Sequence, residues 1–220
     1  MEVRRTSLIE GARAATGTAV VIDVFRAFTT AAFAIAAGAR DVVLMADHTN
    51  ALAMKAADPT LFLTGEIEGR PIDGFDVGNS PSVIQHLDLS GRRVVQRTSS
   101  GTQGVVAATN ASRIVLGSLV IASATLRHVR AIGDDVTLVA MGTNEIEEAD
   151  EDLGCAIYLE QLLRDGAAPL PMIRLLGDEG GWPDWFPRED AILATEVDRF
   201  DFALPVTRED GLLIARPVFS

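Results

Sequence analysis

The chain has 220 residues, of which 48% are hydrophobic, and it carries a formal net charge of −12 at pH 7. This length and apolar content predict one large globular domain over residues 1–220, and the acidic balance argues against nucleic acid or an anionic membrane as a partner, because both require a basic surface. A single cysteine, Cys155, excludes an internal disulfide framework and favours a reducing, cytoplasmic location. No apolar run approaches the roughly 20 residues of a membrane span.

Short apolar runs alternate with stretches of helical spacing from residue 18 onward. The predicted strands lie at or near residues 18–22, 42–45, 61–63, 94, 114–116 and 138. The predicted helices lie at residues 28–36, 49–57, 83–87, 102–109, 122–132 and 148–164, the second of them capped by Thr49 or Asn50. Strands that alternate with helices predict an α/β fold, namely a three-layer α/β/α architecture with a mostly parallel mixed sheet.

The end of the chain has a different pattern. Residues 166–220 are predicted to form a C-terminal extension packed on the same core, with a helix at 190–198 and a hairpin that joins 204–206 to 212–214. Residues 177–187 hold both tryptophans and two prolines. A surface crossing pinned by aromatic side chains is the simpler interpretation of this segment, and a flap over the functional site is the alternative.

A long loop lies between residues 65 and 81, where the hydrophobic periodicity disappears and Gly, Pro, Asp and Asn are frequent. Loops longer than about 12 to 15 residues inside a compact domain are usually functional or disordered. Three apolar residues, Ile72, Phe75 and Val77, favour an ordered loop because they can anchor it. We therefore expect a functional loop, in which Glu66 and Asp76 are candidate metal ligands.

Two charged residues follow the first predicted strand. Asp23 comes directly after residues 18–22, and Arg26 lies at the start of the next helix. Open α/β sheets bind ligands at the carboxyl ends of their strands, so Asp23 is a candidate metal ligand or nucleophile, with a cap for the next helix as the alternative. A cation at a helix start opposes the helix macrodipole and needs a partner, which an anionic substrate would provide to Arg26.

Hydroxyl groups and acidic side chains follow two further predicted strands. Residues 99–102, Ser-Ser-Gly-Thr, offer hydroxyls and backbone N–H groups at a helix N-terminus, which suits phosphate oxygens, although ordinary helix capping uses the same residue types. Residues 145–152 contain six carboxylates, more than one Mg²⁺ uses, so most of them are expected on the solvated surface. Together with Asp23, these features indicate a magnesium-assisted phosphate site.

Several motifs occur in a fixed order along residues 18–165. Two are specific, because generic α/β structure requires neither: I-D-V-x-R-A-x-T-T at residues 22–30 and G-F-D-x-G-N-S-P at residues 74–81. The others are Gly65-Glu66, Thr98-Ser99-Ser100-Gly101-Thr102, Gly117-Ser118 followed by Ala122-Ser123-Ala124, and Glu151-Asp152 followed by Cys155-Ala156. In this set of motifs the chain resembles the 2-phosphosulfolactate phosphatase family.

The resemblance implies a three-layer α/β fold and Mg²⁺-dependent removal of phosphate from a small sulfonated 2-phospho acid, a step in coenzyme M formation in the archaeal members. The candidate catalytic residues are then Asp23, Arg26 and Asp152. The candidate phosphate- and substrate-binding residues are Asn79, Ser80, Arg97, Ser99, Ser100, Gly101 and Thr102. The candidate ligands of Mg²⁺ are Asp23, Glu66 and Asp76. The expected partner is a small anionic phosphoester, with neither nucleic acid nor membrane, and a homo-oligomer is left open.

Alternatives stay open for both the reaction route and the function. Phosphate could be released by attack of a metal-positioned water, or by attack of Asp23 to form an acyl phosphate. A non-catalytic anion-binding homologue of the same fold is the alternative function, because Val83 stands where the family has Glu, and Ile121 and Ser100 stand where it has Asn. A nucleotide-binding enzyme is the weakest alternative, since no G-x-G-x-x-G follows any predicted strand.

Overall fold

Strands and helices alternate along the chain in a computed structural model that describes residues 1–144, 146–171 and 184–219. The strands are β1 (Val3–Ser7), β2 (Thr18–Ile22), β3 (Asp41–Met45), β4 (Phe62–Ile67), β5 (Arg70–Pro71), β6 (Val77–Gly78), β7 (Arg93–Arg97), β8 (Arg113–Gly117), β9 (Val136–Ala140), β10 (Leu204–Glu209) and β11 (Leu212–Ala215). The helices are α1 (Leu8–Ala14), α2 (Ala27–Ala36), α3 (His48–Ala57), α4 (Pro81–Ile84), α5 (Gly101–Ala107), α6 (Ala122–Ile132), α7 (Asp150–Asp165) and α8 (Arg188–Ala194).

The strands form one mixed sheet in the order β1-β9-β2-β8-β10-β11-β3-β7-β4-β5, with β6 paired to β4. The first four strands in this order, β1, β9, β2 and β8, pair in parallel, and so do β3, β7 and β4. The antiparallel hairpin β10–β11 lies between these two parallel groups and pairs with β8 on one side and β3 on the other. The prediction of a mostly parallel mixed sheet is confirmed.

Helices cover both faces of this sheet, because side chains along each buried strand alternate between two apolar clusters. In β2, Ala19 and Val21 belong to a cluster that includes residues of α1, α2, α4 and α5. Val20 and Ile22 belong to a second cluster, which includes residues of α6 and α7. A third cluster joins α3 to β3, β4 and β7. The fold therefore has the three layers that the alternation of elements predicts.

Loops from two strands that are far apart in the sheet order meet at one place. Four strands separate β2 from β7 in the sheet order, so a flat sheet would place these two strands roughly 24 Å apart. Nevertheless Asp23, directly after β2, accepts a hydrogen bond of 2.8 Å from the N–H of Gly101, which follows β7. The residues that follow β2 and β7 therefore lie close together, although the two strands are not neighbours in the sheet.

Some predicted element boundaries are wrong, for identifiable local reasons. The side chain of Asp47, rather than Thr49 or Asn50, caps α3, because it accepts hydrogen bonds from the N–H groups of both. Helix α4 begins at Pro81 instead of residue 83, since a proline's fixed φ suits the first turn of a helix. Helix α8 ends at Ala194 instead of residue 198.

The N-terminal strand and helix were not predicted. Only the first of the five residues of β1 is buried, so its sequence lacks the apolar run that marks the central strands. Its pairing with β9 at the edge of the sheet is decided by tertiary contact. Within the described ranges, no helix is long and apolar enough to cross a membrane.

The position of the β10–β11 hairpin yields a stability prediction. Leu204 in β10 is fully buried, so we expect Leu204→Ala to lower the free energy of unfolding by about 2–5 kcal/mol. Arg208 lies exposed on the same strand, and Arg208→Ala should change it by less than about 0.5 kcal/mol. Urea unfolding of the two variants measures this difference. Equal effects would show that the hairpin is not an integral part of the core.

Candidate active site

A cavity of about 300 Å³ opens where β2, β4, β7 and β9 end. The residues that line it are Asp23, Phe25, Arg26, Glu66, Glu68, Gly69, Asn79, Ser99, Ser100, Gly142, Thr143, Asn144, Glu151, Trp185 and Phe186. The carboxyl ends of parallel strands are the usual ligand-binding edge of an α/β sheet. Several predicted site residues that are far apart in sequence therefore meet in one cavity.

Asp23 both caps a helix and faces the cavity. Its side chain is 4% exposed, and each carboxylate oxygen accepts a backbone hydrogen bond of 2.8 Å, one from Ala27 and one from Gly101. The contact with Ala27 satisfies the first N–H of α2, as the capping interpretation predicts. Capping and a functional role are thus compatible, since the same carboxylate also lines the cavity.

Asp152 lies behind the cavity in the first turn of α7. One of its oxygens accepts the N–H of Val24 at 2.7 Å, and the other accepts the N–H of Gly142 at 2.9 Å. Asp152 is not among the cavity-lining residues, although it fixes two backbone segments that carry them. Its neighbour Glu151 does line the cavity.

Burial and like charges raise the pKa values of three carboxyl groups here. Burial, with a smaller contribution from the negative charge of Glu66, raises the pKa of Asp23 to about 6 against the lowering effect of its backbone hydrogen bonds. Burial raises the pKa of Glu151 to about 7, with contributions from the charges of Asp23 and Asp150. Burial, with the charges of Asp23 and Glu151, raises the pKa of Asp152 well above its usual range. The site therefore favours bound protons or a bound cation.

Arg26 lines the same cavity and is only 5% exposed. Its Nη1 donates a hydrogen bond of 2.8 Å to Asp190, and its Nη2 lies 3.4 Å from the carbonyl oxygen of Gly69. The guanidinium carbon lies 4.4 Å from the ring centroid of Phe186 and 5.7 Å from that of Trp185. Asp190 is therefore the anionic partner that a cation at the start of a helix needs, and Arg26 also lines the cavity.

Glu66 closes the side of the cavity formed by β4. It follows Gly65, whose φ is +155° and where a Cβ would lie 2.0 Å from the carbonyl oxygen of Arg97, so this close approach of the strands requires glycine. One oxygen of Glu66 accepts the N–H of Ser99 at 2.5 Å, and the other accepts the N–H of Gly69 at 2.6 Å. Glu66 thus ties the long loop to the Ser-Ser-Gly-Thr turn.

Asn79 and the residues after β7 complete the floor of the cavity. The buried Gln96 donates a hydrogen bond of 3.3 Å to the side-chain oxygen of Asn79. Ser99 and Ser100 line the cavity. Thr102 turns inward instead, since its hydroxyl accepts the N–H of Thr98 at 2.8 Å. In this turn, Ser99 and Ser100 therefore face the cavity, whereas Thr102 stabilises the backbone of the turn.

Three other predicted site residues bind protein groups outside the cavity lining. Arg97 donates to the carbonyl oxygens of Ala46 and Glu66, which joins the loop after β3 to strand β4. The hydroxyl of Ser80 donates to Asp190 at 2.8 Å. Asp76 forms an ion pair with Lys55 and accepts the N–H of Leu63 at 2.7 Å. The structure does not bring Asp76 together with Asp23 and Glu66.

The donor set fits a magnesium ion bound with few protein ligands. Among the residues that the structure describes, no three His, Cys, Asp or Glu side chains form a group that could hold a metal ion by themselves. Mg²⁺ commonly takes only one or two protein carboxylates and fills its remaining positions with waters and substrate oxygens. Asp23 and Glu66 both line the cavity and interact electrostatically. This pair therefore matches the one or two protein carboxylates that Mg²⁺ commonly takes.

Sequence patterns missed part of the site. Trp185 and Phe186 line the cavity, which agrees with the flap alternative for residues 177–187, while residues 172–183 lie outside the described residues. Asp190, in α8, was not a candidate because an acidic residue in a first helical turn is typical of ordinary capping. The aromatic and proline content of residues 177–187 was the only local signal for this side of the cavity.

Of the three departures from the family pattern, Ser100 lines the cavity, whereas Ile121 and Val83 do not. Ile121 is fully buried in the core cluster around α2 and α5. Val83 is 43% exposed on α4. Neither is among the residues that line the cavity, so these substitutions do not remove polar groups from it.

Comparison with known proteins relates the chain to one family. The sequence model of the family described as 2-phosphosulpholactate phosphatase matches residues 4–179. A Deinococcus radiodurans protein named "Probable 2-phosphosulfolactate phosphatase" is 38% identical over 172 residues, which cover 74% of this chain and 72% of the relative. A Bacillus subtilis protein of the same name is 31% identical over 145 residues, which cover 66% of this chain and 63% of the relative. The match thus spans less than two thirds of the Bacillus protein.

The raised pKa of Glu151 predicts a pH dependence of stability. A carboxyl group whose folded pKa exceeds its unfolded value stabilises the protein while it is protonated, and this stabilisation is lost as the pH rises through the folded pKa, here about 7. Glu151→Gln lacks this titration. Between pH 5 and 8, in EDTA, we expect the free energy of unfolding of the wild type to fall relative to Glu151→Gln by on the order of 2 kcal/mol.

The control for this experiment is Glu10→Gln, which changes an exposed carboxylate on α1. Its free energy of unfolding should follow the wild type across the same pH range, because an exposed surface charge contributes little. A wild type and Glu151→Gln that stay parallel from pH 5 to 8 would contradict the burial of this carboxyl group. Chemical denaturation at each pH provides the measurement.

Proposed function

Because the chain belongs to the 2-phosphosulpholactate phosphatase family, we propose that it hydrolyses 2-phosphosulfolactate, or a closely similar small anionic 2-phospho acid, to the hydroxy acid and phosphate. The observation that carries this proposal is one cavity, of about 300 Å³, that combines carboxylates with an arginine, an amide and serine hydroxyls. Carboxylates bind a divalent cation, and the other groups bind anionic oxygens. A cavity of this volume is small and suits a small acid.

Asp23 and Glu66 would hold Mg²⁺. Bound there, the ion would screen the negative charge of the phosphate group and polarise its oxygens. Burial and repulsion by Glu66 raise the pKa of Asp23 to about 6, and a cation between the two carboxylates would relieve that repulsion. Asp76 is left out of this assignment, since its carboxylate is paired with Lys55 outside the cavity lining.

Arg26, Asn79 and Ser100 would bind the anionic oxygens of the substrate. All three line the cavity with polar groups, and all three are held by buried surroundings. Gln96 accounts for the orientation of Asn79, because it donates to the amide oxygen and leaves the amide N–H groups for an acceptor. Groups fixed before the substrate binds need little reorganisation during the reaction.

Glu151 would carry the proton that the reaction transfers. It lines the cavity, and burial raises its pKa to about 7, which suits a general acid or base at neutral pH. In this route Glu151 exchanges a proton with the attacking water or the departing alkoxide, and Asp23 serves as a ligand of Mg²⁺ instead of attacking the phosphate group. Asp152 acts through the backbone of Val24 and Gly142, which it holds in place.

Further aspects of the proposal concern the cell rather than the site. The single, buried and free Cys155 agrees with a reducing cytoplasm. A role in coenzyme M formation and assembly into a homo-oligomer stay predictions from the sequence.

The first test of this function is Asp23→Asn. We expect phosphate release from 2-phosphosulfolactate to fall at least about a hundredfold in kcat, because a group that binds the ion and stabilises the transition state is weakened. Stability at pH 8 should change by less than about 2 kcal/mol, since loss of a hydrogen-bond acceptor is offset by removal of a buried negative charge. Thermal melting of the same samples checks this.

Two outcomes would contradict this role for Asp23. An Asp23→Asn protein that melts far below the wild type would identify Asp23 as a structural cap. One that stays folded and fully active would remove Asp23 from the mechanism.

A second test addresses the metal. Removal of divalent cations with EDTA should abolish phosphate release, and added Mg²⁺ should restore it. Glu66→Gln should raise the Mg²⁺ concentration needed for half-maximal activity at least about tenfold, because one of two protein ligands loses its charge. The control is Asp76→Asn, which removes a carboxylate of the same long loop outside the cavity lining, and its Mg²⁺ requirement should equal that of the wild type. Activity that survives in EDTA would refute the magnesium proposal.

A further inference from the structure

The ion pair between Arg26 and Asp190 is the most deeply buried one within the described part of the chain. The side chains are 5% and 0% exposed, and Nη1 of Arg26 lies 2.8 Å from Oδ2 of Asp190. A buried charge that loses its partner is strongly destabilising. Asp190 therefore constrains where the guanidinium of Arg26 can be.

Asp190 is itself held rigidly. Its other carboxylate oxygen accepts three hydrogen bonds, from the hydroxyl of Ser80 at 2.8 Å, the N–H of Ser82 at 2.9 Å and the hydroxyl of Ser82 at 2.5 Å. The second oxygen is left for Arg26. A carboxylate with this many donors has one orientation, so it acts as a fixed anchor.

The anchor engages only one end of the guanidinium. Arginine has five N–H donors in a planar fork, and the two contacts to Asp190 and Gly69 use two of them. The rings of Phe186 and Trp185 lie against the guanidinium and restrict its tilt. Because Arg26 also lines the cavity, its remaining donors are available there for the oxygens of an anion.

The geometry points to Asp190 as a positioning residue for substrate binding. Its carboxylate holds Nη1 of Arg26 by a hydrogen bond, so that the other N–H groups of the guanidinium can donate to an anionic oxygen of the substrate. This inference rests on the proposed function for the presence of such a substrate. Asp190 lies beyond residues 4–179, the part of the chain that the family model matches. The C-terminal segment thus supplies part of the binding site through Arg26.

The experiment compares Asp190→Asn with Glu189→Gln, using inorganic phosphate in the presence of Mg²⁺ as the probe. Asp190→Asn replaces the anchoring charge, whereas Glu189→Gln changes an exposed carboxylate in the same turn of α8 and leaves the pair with Arg26 intact. By isothermal titration calorimetry, we expect Asp190→Asn to weaken phosphate binding about tenfold or more and Glu189→Gln to change it less than about twofold.

A double-mutant cycle separates positioning from a general structural role. In an Arg26→Ala background, Asp190→Asn should cause no further loss of phosphate affinity, because Asp190 acts only through Arg26. With 2-phosphosulfolactate, Asp190→Asn should raise KM more than it lowers kcat. Additive losses, unchanged affinity in Asp190→Asn, or absence of phosphate binding in the wild type would overturn the inference.

A crystal structure of the wild type with phosphate covers the case in which Asp190→Asn does not fold. The inference requires phosphate contacts to Nη2 or Nε of Arg26 while Nη1 stays on Asp190. A guanidinium that leaves Asp190 to bind phosphate would refute it. Phosphate bound in this way by a protein that hydrolyses no phosphoester would instead contradict the proposed function and leave the positioning role in place.

Discussion

Two buried carboxylates hold the backbone at the strand ends, and the rest of the site depends on their hydrogen bonds. Asp152 binds the N–H of Val24, which lies 128 residues away in sequence, and Asp23 binds that of Gly101, 78 residues away. Hydrogen bonds to a charged acceptor are stronger than neutral ones, so they can fix loops that have little apolar surface. Both carboxylates are buried next to other negative charges, and these two causes raise the pKa of each group although the hydrogen bonds themselves lower it.

Repulsion between these buried carboxylates affects both the stability of the site and its proposed chemistry. A cluster of like charges away from water favours a bound proton or a bound cation, because either reduces the repulsion. Glu151, at the edge of the cluster, has a pKa raised to about 7. Burial of like charges therefore accounts both for a group that exchanges protons near neutral pH and for a pair of carboxylates suited to Mg²⁺.

The loops after distant strands and the C-terminal segment together complete the cavity. The β10–β11 hairpin separates two parallel groups of strands, and the loops after β2 and β7 meet despite this separation. In the C-terminal segment, Trp185 lies against Gly69, where an added Cβ would be 2.5 Å from its ring. Asp190 then joins α8 to Arg26 and to the residues around Ser80. Residues from the last part of the chain are therefore necessary for a site whose motifs all lie before residue 165.

The sequence by itself determined the alternation of elements, the three layers and the strand ends at which Asp23 and Ser100 lie, because apolar periodicity and glycine positions are local properties. It also identified the family through two specific motifs. Only the tertiary structure decided which polar groups face the cavity. Arg97 and Asp76 are residue types that bind phosphate and metal ions, yet Arg97 donates to the carbonyl oxygen of Ala46 and Asp76 forms an ion pair with Lys55. Asp190 has no local signal, because its role depends on a partner 164 residues away. Such pairings arise from the packing of distant segments, which no local pattern encodes.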